Sequence, residues 1–210
     1  MIKKLSLFLV LISVVFSLSC NDGKKTSNTN AKSAANADVK KGVAPVADNE
    51  IAVMETDFGT IKLELYSNIA PKMVARFKEL AKEGYYNGIA FHRINNSVIQ
   101  AGNADTKPGA QPSIGGKEGD SGKPNVDAEF SDIPYDTGIL GAARLGNDVN
   151  SANSQFFIML KREKGFDNNY TVFGKVIEGL NNVMLISGVP RDGEKPNPAV
   201  RIKSVTIQPK

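Results

Sequence analysis

Phe91-His92-Arg93-Ile94 and Ser97-Val98-Ile99-Gln100 read as two short strands on either side of Asn95-Asn96, a pair of residues suited to a turn. Working outward toward the N-terminus, Ile51–Thr56 and Thr60–Tyr66 also read as strands. The second alternates cleanly, with Ile61, Leu63 and Leu65 on one face and Lys62 and Glu64 on the other. Asp57-Phe58-Gly59 is a short hairpin connection between them. Pro71 opens a helix at a position where its missing N–H costs little. Met73, Val74, Phe77, Leu80 and Ala81 then follow helical spacing, and Gly84 ends the run.

Toward the C-terminus, residues 103–125 are rich in Gly and Pro and read as a long loop. Gly138–Ala143, Ser154–Met159 and Tyr170–Val176 are apolar strand candidates. Glu178–Ile186 reads as a second short helix, and the alternation of Val200–Gln208 as a closing strand. Many short strands with two helices indicate a mainly β fold, a closed barrel capped by helices.

Composition narrows the chemistry. The chain has 210 residues, 41% hydrophobic and 23% charged, which excludes a fully disordered, collagen-like or multi-span membrane protein. One Cys and one His leave little room for a disulfide framework, a metal cluster or a relay of imidazoles, so no metal and no cofactor are expected. Residues 51–210 hold 19 Lys+Arg against 18 Asp+Glu. The folded part is therefore nearly neutral, and nucleic acid is not an expected partner.

The N-terminus reads as a targeting signal over residues 1–19. Lys3 and Lys4 precede an apolar run, Leu5–Leu18, too short to span a membrane comfortably as a mature helix. Cys20 follows at Phe16-Ser17-Leu18-Ser19-Cys20, which resembles the lipobox of bacterial lipoproteins. That resemblance implies lipidation of Cys20, while Ser17-Leu18-Ser19 also suits ordinary signal peptidase. Residues 20–50 are expected to be a lipidated Cys and a disordered tether, because they are polar and lack aromatic residues. The expected location is the bacterial cell envelope, outside the cytoplasm and held by the lipid anchor. The domain proper is expected over residues 51–208.

Three segments together resemble the cyclophilin family of peptidyl-prolyl cis–trans isomerases. They are Phe91-His92-Arg93 followed by Val98-Ile99-Gln100, then Ser154-Gln155-Phe156-Phe157-Ile158, then Tyr170-Thr171-Val172-Phe173-Gly174-Lys175-Val176. With the opening strands and helix, the resemblance covers essentially all of 51–208. It implies a closed antiparallel eight-stranded β-barrel capped by two α-helices.

The chemistry suits this residue inventory. An X–Pro amide resists rotation because resonance must be broken, and in the twisted state its nitrogen regains a lone pair. A fixed cationic donor aimed at that nitrogen stabilises the twisted state more than the planar one, with no proton transfer or covalent step. By the resemblance, Arg93 is that donor, and Gln100 orients it and holds the substrate backbone. The resemblance also implies that Phe157 is the aromatic floor of the proline pocket; Gln155 then shares its face and Phe156 turns into the core, because strand neighbours face opposite ways. Val98, Ala143 and Phe166 match apolar walls, and His92 matches a His at the pocket edge. Tyr170 stands where many members carry His, Arg144 where they carry Asn, Ser97 where they carry a large Phe, and Gly165 where they carry Trp.

The partners expected from this are proline-containing polypeptide segments, together with a membrane through the anchor on Cys20, and the chain is expected to be a monomer. The expected function is assisting the folding of exported proteins. The alternative is a binding module that holds X–Pro segments with little catalysis, as a chaperone or surface attachment protein.

Overall fold

The computed structural model describes residues 38–110 and 121–210. The expected signal segment, Cys20 and the tether up to residue 37 lie outside the described residues. Ten strands and two helices follow in chain order: β1 Glu50–Thr56, β2 Gly59–Leu65, α1 Pro71–Lys82, β3 Arg93–Ile94, β4 Val98–Ala101, β5 Ile139–Ala142, β6 Phe156–Met159, β7 Val172–Glu178, α2 Leu180–Ser187, β8 Arg191–Asp192, β9 Lys195–Pro196 and β10 Ile202–Pro209. Eight of them form one antiparallel sheet in the order β10-β1-β2-β7-β5-β6-β4-β3, while β8 and β9 make a separate hairpin.

The alternation of β1 and β2 does what the sequence indicates. Ile61, Leu63 and Leu65 are buried beside Ala52 and Met54, and the hairpin closes where Thr56 pairs with Gly59. Helix α1 has Pro at its first position, so its free N–H groups begin at Lys72 and Met73. Both donate to the Glu129 carboxylate, at 3.1 and 3.0 Å, which caps the helix from a distant loop. The buried stripe of α1 packs into the sheet's inner face. Phe77 meets Phe156 edge-on at 5.6 Å and lies 5.1 Å from Tyr86 and 5.5 Å from Phe173. Helix α2 adds Val183 and Ile186 to the same core.

Two expectations need correction. The barrel is open rather than closed: the edge strands β3 and β10 share no ladder. The seam is spanned by one bridge, Ala90 to Arg201, with Gly88 N–H and Phe91 N–H donating to the carbonyls of Ile202 and Val200. The cause is local. Strand β3 is two residues long, and the Ile94 N–H is already taken by the Glu194 carbonyl at 2.7 Å, so no ladder can propagate from β3 toward β10.

Residues 38–49, expected within the tether, run along the domain surface instead. Lys40 forms a bridge with Ser131 and sends its ammonium to the Ile69 carbonyl at 2.6 Å. The Val46 N–H donates to Asn68 Oδ1, and Asp48 pairs with Lys78 at 2.6 Å. These are backbone and polar contacts, which a reading of hydrophobicity does not register.

Candidate functional site

Strand register assembles the site. Arg93 of β3 is paired with Gln100 of β4, Gln100 with Phe157 of β6, and Phe157 with Gly141 of β5. Directly opposed residues share a sheet face, so these four form one row across four strands. Neighbouring strands lie about 4.8 Å apart, which puts Arg93 and Phe157 roughly 10 Å from one another. Odd and even positions of β6 then divide as period 2 requires. Phe156 and Ile158 enter the inner core, while Phe157 and Met159 join a second apolar cluster with Val98, Ile139, Tyr135 and Val172.

This second cluster is an aromatic basin. The Phe157 ring is buried and meets Phe166 at 5.4 Å and Tyr170 at 5.6 Å, both edge-on. Phe166 and Tyr170 stack at 4.9 Å, and Tyr135 lies 5.8 Å from Phe157. Ala143, Phe166 and Tyr170 are only partly buried and form the basin's accessible wall. The loop carrying Phe166 is fixed by Asp167, which accepts from the Arg162 guanidinium and from the Tyr135 N–H. The Arg162 hydrogen bond holds the Asp167 carboxyl below the usual carboxylate range. Burial pushes the Tyr135 hydroxyl well above the usual tyrosine value, so it stays neutral.

The polar end begins at Gln155. Its Oε1 accepts from Gln100 Nε2 at 3.0 Å, and Gln100 Oε1 lies 3.5 Å from Arg93 Nη1. Arg93 also pairs with Glu194, Nε to Oε2 at 2.6 Å and Nη2 to Oε1 at 3.4 Å. Three of its five N–H groups are engaged in these bonds, and the other two have no partner among the described residues. Hydrogen bonds from Arg93 and then Asn95 hold the Glu194 carboxyl below its ordinary value. An open cleft of about 330 Å³, lined by Ile94, Asn95, Asn96, Ser97, Arg191, Gly193 and Glu194, adjoins this end.

The remaining expected residues are distributed unevenly. His92 is half-buried beside the row, and its N–H donates to the Gln100 carbonyl at 3.1 Å. Ser97 sends its hydroxyl to Glu163 Oε2 at 3.1 Å, tying the start of β4 to the loop that follows β6. Arg144 lies over the Tyr170 ring at 4.6 Å and donates to the carbonyls of Leu145 and Asn169, so it clasps the rim of the basin.

Three residues were missed by the sequence reading. Tyr135 lies in an irregular segment where no periodicity marks burial. Glu194 stands on the β8–β9 hairpin, for which Asp192-Gly193 was the available turn signal. Gly141 was legible only as a strand residue. A Cβ there would lie 2.3 Å from Phe157 Cζ and 2.5 Å from Cε2, so only glycine lets the ring lie over β5. Gly141→Ala is expected to tip Phe157 out of the basin and to destabilise the fold by about 1–3 kcal/mol, as overpacking does. Urea denaturation measures it, and an unchanged midpoint would show that the ring moves without cost.

An open antiparallel barrel with two helices, carrying an arginine–glutamine chain beside an aromatic basin on one row of strands, defines the class to which known proteins can be compared. The family model for cyclophilin-type peptidyl-prolyl cis-trans isomerases matches residues 51–207. A probable peptidyl-prolyl cis-trans isomerase of Brucella suis is 39% identical over 166 residues, covering 75% of this chain and 81% of its own. The human peptidyl-prolyl cis-trans isomerase-like 1 is 36% identical over 157 residues, covering 74% and 90%. Among solved structures, a Cryptosporidium parvum cyclophilin-type isomerase, crystallised in the presence of the dipeptide Ala-Pro, aligns with a TM-score of 0.66 at 28% identity. It covers 76% of this chain and 99% of that one. The chain belongs to the cyclophilin-type peptidyl-prolyl cis–trans isomerase family, and its activity is that of a peptidyl-prolyl cis–trans isomerase.

Proposed function

We propose that the domain isomerises X–Pro bonds of exported polypeptides, with Arg93 as the donor to the prolyl nitrogen and the Phe157 basin as the seat of the proline ring. The observation that carries this reading is the row Arg93–Gln100–Phe157, which sets a cation and an aromatic floor roughly 10 Å apart on one face. A proline ring resting on Phe157 would direct its amide toward the polar end. There Gln100 and Gln155 hold the substrate backbone, and the two unengaged N–H groups of Arg93 meet the nitrogen as it pyramidalises. The ground-state nitrogen has no lone pair to offer, so this interaction strengthens only in the twisted state.

Magnitudes bear on how the work is divided. Raising an uncatalysed rate near 10⁻² s⁻¹ to a turnover of about 10³ s⁻¹ removes roughly 7 kcal/mol from the barrier. One preorganised donor supplies about 2.7–4 kcal/mol. The rest falls to orientation by the basin and the two glutamines. His92 supports the edge of the site and moves no proton in this scheme.

A binding module with weak catalysis is the second reading. The observation in its favour is Ser97, whose hydroxyl serves Glu163 and which stands, by the family resemblance, where many members carry a large pocket Phe. Comparing turnover with affinity on one short Pro peptide distinguishes the two. An isomerase accelerates exchange at micromolar enzyme, whereas a module binds without doing so.

Placement in the cell envelope rests on the sequence alone, on the Lys3-Lys4 and Leu5–Leu18 signal followed by Cys20. Acylation with two or more chains gives stable anchoring. Cys20→Ser is expected to release the protein from membranes or to block its processing, and to abolish metabolic labelling with a fatty acid. A wild-type protein that takes up no label and has its N-terminus elsewhere would mean plain secretion.

A further inference from the structure

We infer that Glu194 is a positioning residue for the reaction: from the tip of the β8–β9 hairpin it grips one edge of the Arg93 guanidinium and leaves the opposite edge turned to Gln100 and the substrate. This rests on the reading of Arg93 as the donor to the prolyl nitrogen.

The geometry is that of a clamp rather than a chance surface pair. Both carboxylate oxygens are used, Oε2 by Arg93 Nε at 2.6 Å and Oε1 by Arg93 Nη2 at 3.4 Å. Nε and Nη2 form one edge of the planar fork, so a two-point contact there fixes the plane of the guanidinium as well as its position. Nη1, the nitrogen on the other side, is the one that faces Gln100.

The clamp is itself held. Asn95 Nδ2 donates to Glu194 Oε1 at 2.9 Å, while Asn95 Oδ1 accepts the N–H groups of Ser97 and Val98 at 2.9 and 3.0 Å. The Asn95 amide is thereby fixed at both ends. The main chain is pinned too. Ile94 N–H donates to the Glu194 carbonyl at 2.7 Å, and Arg191 Nη1 donates to the Ile94 carbonyl at 3.1 Å. Glu194 is thus tied by backbone to the residue that follows Arg93, and the distance between the two side chains is set by the β3 main chain. Gly193, with φ of 63°, takes the first position of the two-residue loop, where a left-handed conformation makes the turn tight enough to present Glu194.

The pair is a poor device for stability. Its side chains are 46% and 50% exposed, and ion pairs at such exposure contribute little to folding. Its effect lies in geometry. An arginine side chain free to choose among rotamers reaches the twisted amide only part of the time, and small misplacements of a catalytic group are costly in rate. The charged groups near Glu194 are Arg93 on β3 and Arg191 on β8, and the hydrogen bonds from Arg93 and Asn95 hold its carboxyl below the usual glutamate range.

The test uses the full-length protein and a short peptide with a central Ala-Pro. Glu194→Gln keeps the shape but offers a single acceptor to the Arg93 edge. It is expected to lower kcat about tenfold with KM within twofold of wild type, at an unchanged melting temperature. The Arg93 Nε–H proton is expected to exchange with solvent faster in the variant, seen by NMR. Because Glu194 acts only through Arg93, Arg93→Ala combined with Glu194→Gln is expected to be no slower than Arg93→Ala alone. Wild-type or raised turnover in Glu194→Gln, with Arg93→Ala inactive, would overturn the positioning role, and so would additive losses in the double variant. Full activity in Arg93→Ala would instead remove the catalytic reading of Arg93, and the inference with it.

Discussion

Arg93→Ala is expected to lower kcat/KM on a Pro peptide by about 10²–10³-fold, the usual loss when one preorganised charge-stabilising donor is removed. The fold is expected to survive. The Arg93 side chain is half exposed, its ion pair with Glu194 contributes little to stability, and its neighbour Ile94 holds β3 in place through backbone bonds. Residual activity is expected from the parts left behind, since in the proposed scheme the aromatic basin and Gln100 still orient the ring and the backbone. A protease-coupled assay on purified protein with a native melting curve measures the effect. Turnover near wild type would show that the twisted nitrogen is stabilised by another group.

Phe157→Ala carries the second large expectation, on stability and affinity together. The ring is buried and contacts Tyr135, Phe166 and Tyr170. Truncating a buried Phe to Ala costs about 3–5 kcal/mol. Protein that stays folded is expected to show a KM raised roughly tenfold, because a proline ring loses its apolar floor. Phe157→Leu separates the two effects. It retains much of the volume, and is expected to fold nearly as well while binding the peptide less tightly. Chemical denaturation and steady-state kinetics on the same samples read both. An unchanged KM in either folded variant would place the proline elsewhere.

Much of the inner architecture was legible because it obeys local rules. Thr60–Tyr66 alternates, Pro71–Lys82 carries its apolar stripe at helical spacing, and Phe156 and Phe157 divide between two faces because strand neighbours must. What escaped depends on contacts distant in sequence. The barrel's failure to close turns on one N–H, that of Ile94, being claimed by a carbonyl one hundred residues away at Glu194. The docking of residues 38–49 rests on Lys40, Asn68 and Asp48, polar residues whose bonding partners no hydropathy pattern announces.

The site divides in the same way. Register brings Arg93, Gln100 and Phe157 into one row, which their separate motifs did not state, and it also enlists Gly141, whose part becomes visible only when the Phe157 ring is placed over it. Arg144 and Ser97 sit at the edges of the site, but their polar groups serve the scaffold. The first holds the rim through backbone carbonyls, and the second bonds to Glu163. Residue type alone does not tell a side chain that serves the ligand from one that serves the loop carrying it.

The most direct measurement is NMR exchange spectroscopy on a short Ala-Pro peptide with substoichiometric protein, following the separate cis and trans resonances. Wild-type protein is expected to bring the exchange from tens of seconds into the sub-second range, while Arg93→Ala still shifts the peptide resonances on binding and leaves exchange slow. Wild-type protein that shifts the resonances without accelerating their exchange would contradict catalysis at this site and leave a groove that only binds.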